Sequence, residues 1–102
     1  MKARVSSTAE ADSQVFTATT WWQANRPAAP YLVEEELAAA IAQLEEQPES
    51  GTPFPRPKYP DLRKLVLPRT RYFVFYTYDA AKSEVMIRVL WSAWRGRLPE
   101  SL

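Results

Sequence analysis

At 102 residues, with 46% hydrophobic and 25% charged side chains, the chain has the makings of one modest globular domain, expected to span residues 1–102. It contains neither cysteine nor histidine, which removes disulfides, cysteine nucleophiles, histidine bases and zinc sites of the usual kind. A net charge of +1 conceals a division: residues 1–50 carry 3 basic and 8 acidic side chains, a balance of −5, whereas residues 51–102 carry 10 basic and 4 acidic, a balance of +6.

No apolar run approaches the ~18 residues that a membrane-spanning helix needs, so the expectation is a cytoplasmic protein with no membrane partner. Ala3–Val5 is short and extended in character and suits an edge strand. Ser7-Thr8-Ala9-Glu10 fits a capping box, in which the Ser7 hydroxyl accepts from the Glu10 amide and the Glu10 carboxylate from the Ser7 amide. A helix is predicted from there to about Ala24. Ala11, Val15, Ala18 and Trp22 recur at helical spacing, and Phe16 widens the stripe. Trp21 and Trp22 cannot share a direction, so one is expected to be half exposed; both are read as packing residues.

Asn25-Arg-Pro-Ala-Ala-Pro30 breaks this helix, and a second is expected to begin between Pro27 and Pro30 and to run to about Gln47. Val33, Leu37, Ala40, Ile41 and Leu44 form its apolar face. Glu34 to Glu36 suit the positive end of its dipole. From Pro48 to Pro60, five prolines predict a stiff, extended surface loop carrying Arg56 and Lys58.

Leu65–Leu67, Tyr72–Tyr78 and Val85–Trp91 are dense in β-branched and aromatic residues. Pro68 with Thr70, then Asp79–Ser83, punctuate them, which predicts an antiparallel meander. Alternation places Tyr72, Val74, Tyr76 and Tyr78 on one face and Phe73 and Phe75 on the other. Such a sheet needs cover, and two antiparallel helices supply it on one side. The fold class is therefore α+β, an N-terminal helical hairpin packed on a small, mostly antiparallel β-sheet. Gly96–Glu100 is read as an exposed tail.

Leu62-Arg63, then Arg71 to Tyr76, an acidic turn, and Val89 to Arg95 together resemble the RelE/ParE superfamily of bacterial toxins from type II toxin-antitoxin systems. Pro48 to Pro53, as Pro-x-x-Gly-x-Pro, is similar to a segment of the same family. In the RelE branch, basic residues on the meander strands, a further one at the end of the last strand and a late tyrosine are understood to cleave RNA. Lys64 and Arg95 fit two of those places, with Arg88 a further candidate. Val66 and Phe73 occupy two others, and no tyrosine follows Arg95. A site lacking these cations loses on the order of 10²-fold per missing group, by analogy with oxyanion-hole losses.

The ParE branch is closer, and its members are known as poisons of DNA gyrase that block replication. Its usual aromatic-His-small-x-Arg arrangement is met by Trp91-Ser92-Ala93-Trp94-Arg95, with Ser92 in the histidine's place. The resemblance implies a non-enzymatic poison of DNA gyrase, growth inhibition, no metal and no cofactor, and a hetero-oligomer with a cognate antitoxin that wraps the toxin. The alternatives are a ribosome-dependent mRNA endonuclease, favoured if Lys58, Lys64, Arg88 and Arg95 converge on one concave face, and an inactive antitoxin-binding module. Arg63, Arg71, Arg88, Arg95 and Arg97 are the candidates for target contact. Val33, Leu37, Tyr72 and Val74 are expected to line an apolar groove for the antitoxin, and Trp91 and Trp94 are read as packing residues.

Overall fold

The computed structural model describes residues 2–102. Its elements run β1 (Arg4–Ser7), α1 (Ala9–Asn25), α2 (Leu32–Glu46), β2 (Thr52–Pro53), β3 (Arg63–Val66), β4 (Tyr72–Asp79) and β5 (Glu84–Ser92). The five strands form one sheet in the order β1-β5-β4-β3-β2, antiparallel except where β1 runs parallel to β5. The expected α+β class and meander are therefore present.

Both helix starts differ from the sequence reading. Ser7 remains in β1, paired with Ile87, so its backbone cannot also serve as a helix cap. Thr8 caps α1 instead: its hydroxyl accepts from the Ala11 amide at 3.1 Å and donates to the Arg88 carbonyl at 3.1 Å. The Ser7 hydroxyl turns to Asp12, and the Glu10 carboxylate accepts from Gln14 and Ser101. Likewise α2 starts at Leu32, beyond both prolines. Proline disfavours helical backbone in the residue before it, so Arg26 and Ala29 close successive turns before the helix begins.

The alternation predicted for β4 holds, and it divides the apolar residues between two cores. On the helix-covered face, Val74 and Tyr76 pack with Val33, Ala40 and Leu44 of α2 and Ala11 and Ala18 of α1. On the opposite face, Phe75 and Val89 pack with Leu62 and Leu102. That second cover comes from segments read as solvent-facing. Phe54 and Tyr59 of the proline-rich stretch lie against this cluster, as does Leu98 of the last residues. The stretch also contributes β2, an edge strand, where prolines are tolerated because one side of the ladder is open. Residues 98–102 are accordingly docked, with Arg56 Nε donating to the Leu102 backbone oxygen at 3.2 Å.

No helix among the described residues is long and apolar enough to cross a membrane.

Candidate functional site

Strand β5 is longer than its parallel neighbour. β1 pairs only with Glu84–Ile87, so the edge of β5 from Arg88 to Ser92 has no strand beside it. The pairing with β4 also slips there: Phe75 opposes Val89 while Tyr76 opposes Ile87, leaving Arg88 as the extra residue of a β-bulge. Helix α1 serves the open edge with side chains. Gln14 accepts from the Leu90 amide through Oε1 at 2.9 Å, and Thr8 takes the Arg88 carbonyl. Standing off from the strand in this way, α1 leaves a groove of about 480 Å³ between itself and the end of the sheet.

The α1 wall of the groove presents Trp21, Trp22 and, just past the helix, Arg26; the sheet wall presents Tyr72, Trp91, Trp94 and Arg95. No carboxylate among the described residues lines it. The Arg26 guanidinium lies over the rings of Trp21 and Trp22, 4.8 and 5.6 Å from their centroids, and that of Arg95 lies 4.1 Å over Trp91. Trp21 is 45% exposed, while Trp22 packs against the core. Trp94 is 83% exposed, which corrects its reading as a packing residue.

The far wall depends on a residue that the sequence reading explained by the helix dipole alone. Glu36 reaches from α2 to the β3–β4 turn, where its carboxylate accepts from the amides of Arg69 and Thr70, both at 2.8 Å, and from the Thr70 hydroxyl at 2.7 Å. Burial pushes this carboxyl up, but the hydrogen bonds from Thr70 and Arg69 and the Arg69 charge outweigh it, and the net shift is below the ordinary value of 4.5. The turn so held places Arg71 at φ 63°, and its carbonyl accepts from the Ala93 amide at 2.8 Å. Glu36 thereby ties α2 to the segment that carries Trp94 and Arg95.

The residues singled out from sequence are distributed as follows. Arg95 lines the groove; Arg71 is exposed on the turn beside it, and Arg97 is exposed with its carbonyl accepting from Trp91 Nε1. Arg63 donates to the carbonyls of Glu49 and Gly51 and pairs with the Glu49 carboxylate at 3.7 Å. Lys64 and Arg88 face the other side of the sheet. Lys64 sits 4.5 Å from the Phe73 centroid and 5.1 Å from that of Phe54. Arg88 lies 4.7 Å over Tyr59, which it shares with Lys58, and donates to Thr77 at 3.0 Å. Lys58, Lys64 and Arg88 are thus held against aromatic rings on one face, and Arg95 at the strand end.

Of the four residues expected to line an apolar groove, Val33 and Val74 have no exposed surface and belong to the core, since helices and sheet close directly over them. Tyr72 lines the groove beside β5, and Leu37 a smaller apolar one of about 200 Å³ between α1, α2 and β1. Sequence reasoning missed the groove itself. Its signal was Arg26 placed four and five residues after two adjacent tryptophans, but nothing local shows that Trp94 returns to the same place.

A helical pair on one face of a mostly antiparallel five-stranded sheet is the α+β fold that this chain shares with solved chains of toxin-antitoxin systems. The chain belongs to the family of ParE toxins of type II toxin-antitoxin systems (parDE), whose model matches residues 3–93. Among solved structures it is similar to a chain of a chromosomal ParDE system from P. aeruginosa, with TM-score 0.71 and 14% identity over 89% of this chain and 96% of that one. A chain of the RelBE2 toxin-antitoxin complex from Mycobacterium tuberculosis is similar at TM-score 0.63 and 16% identity, over 88% and 90%. No curated protein sequence matches.

Proposed function

We propose that this toxin acts as a non-enzymatic poison of DNA gyrase, arresting replication, and that a cognate antitoxin holds it silent in a cytoplasmic complex. One observation carries the choice of target: two of the positions where a ribonuclease of this fold would present its cations are filled by uncharged side chains. Val66, 41% exposed on β3, and Phe73 of β4 have no charge, while Lys64 stacks between Phe54 and Phe73. Cleavage of RNA needs a base for the 2′-hydroxyl, an acid for the leaving oxygen and cations on the transition state. Here Lys58, Lys64 and Arg88 remain on that face, each already set against an aromatic ring. The similarity to chains from ParDE and RelBE2 complexes supports an antitoxin partner.

The test is pulse labelling after induced expression without antitoxin, following thymidine and leucine incorporation over the first minutes. Thymidine incorporation is expected to stop while leucine incorporation continues. If leucine incorporation stops first, the target is the ribosome and its mRNA; if neither changes, the chain is an inactive antitoxin-binding module.

A further inference from the structure

The groove beside β5 combines features that complement one kind of ligand. Arg26 and Arg95 have no acidic partner among the described residues, and each guanidinium rests on an indole face. A cation held on a ring keeps its outward N–H groups free for an anion. Beside them stand indole surfaces left in water, most of all Trp94. Large aromatics are costly to expose, and a protein tolerates them on its surface chiefly where a partner will cover them. The volume lies within the range of about 300–1,000 Å³ typical of sites that enclose a small group. Stacking surfaces, two guanidiniums without an acidic partner and the absence of carboxylates match a flat base attached to a phosphate.

We propose that this groove binds an unpaired nucleotide of single-stranded DNA, with Trp94 and Trp21 contacting the base and Arg26 and Arg95 the flanking phosphates. The choice of DNA over RNA rests on the replication reading above; the recognition of base and phosphate rests on the groove alone. An acidic peptide would also satisfy the arginines and lay apolar side chains on the indoles, so it enters the test as a competitor.

The experiment is fluorescence anisotropy of a labelled oligothymidylate with the purified full chain, in the absence of gyrase. The unlabelled competitors are the same oligothymidylate, a duplex of equal length, oligouridylate and an acidic Glu/Leu peptide. Binding is expected to the single strand in preference to the duplex, with a log–log salt slope of about −1.4, the value for two phosphates on a single strand. Trp94→Ala should weaken it by about 10-fold or more, and Trp94→Tyr by less. Lys82→Ala, on the turn at the opposite end of the sheet, should change it less than about twofold. Trp94 is exposed enough that its removal leaves the cores intact. Binding unaffected by Trp94→Ala, tighter binding of oligouridylate, or displacement by the acidic peptide but not by unlabelled oligothymidylate would each overturn the proposal. Because gyrase is absent, failure here is separate from failure of the replication reading, which pulse labelling decides.

Discussion

Gly51 is required by what it touches. Its amide donates to the Tyr76 hydroxyl at 2.8 Å, and a Cβ added there would lie 2.6 Å from that oxygen and 2.8 Å from ring Cε1. Tyr76 cannot retreat, since its ring is fully buried between the helices and the sheet. Burial raises its phenol pKa, against the opposing pull of the Gly51 amide and Arg63. Gly51→Ala is therefore expected to cost about 1–3 kcal/mol, read as a lowered urea midpoint with unchanged slope. Tyr76→Phe should cost about 1–3 kcal/mol by another route, leaving a buried N–H without an acceptor. An unchanged midpoint in either variant would mean that residues 48–53 yield without cost. The Pro48-x-x-Gly51-x-Pro53 pattern was visible in the sequence. The reason for its glycine was not, because Tyr76 lies 25 positions away.

Elements were legible in the sequence where their residues repeat with a period, and illegible where one side chain decides a boundary. Both helices and the meander announce themselves through spacing, as Ala11, Val15, Ala18 and Trp22 do in α1. The start of α1 was misplaced by one residue because Ser7 and Thr8 cap equally well in isolation, and the register of β1 against β5 decides between them. Strand β2 has too few residues to show a pattern. Glu36 is the same case with a larger consequence, since its link to Thr70 spans 34 positions. Glu36→Ala leaves the buried Thr70 amide without its acceptor, and a loss of about 1–3 kcal/mol is expected. Because the folded-state pKa of Glu36 lies below 4.5, its stabilisation is present above that value and fades as the pH falls through the folded pKa. The stability difference between the parent chain and Glu36→Ala should therefore shrink in acid, measured as urea midpoints from neutral pH to below 4. A difference independent of pH would place the effect of the substitution in packing rather than in the carboxylate.

For the molecule as a whole, the arrangement that sequence reading left open is the cover of the second sheet face. Phe73, Phe75 and Val89 demanded a partner, but the proline-rich stretch and residues 98–102 carry no periodicity that would nominate them. The proline-rich stretch puts Lys64 and Arg88 against the rings of Phe54 and Tyr59, and residues 98–102 pack on the same cluster. Leu102→Ala shortens a buried side chain, for which a rigid core would lose about 2–5 kcal/mol. The cost here is capped by the free energy of docking residues 98–102, since the segment can undock while the sheet persists. Hydrogen exchange should then show faster exchange of the Leu102 amide, bonded to Pro99, and of its neighbours, while the amides of β4 and β5 keep their protection. Uncovering this face also tests the rival activity. A nuclease masked by the segment would begin to cut RNA once Leu102→Ala releases it. The gyrase reading expects no cleavage, because Val66 and Phe73 would still stand where the missing cations are needed.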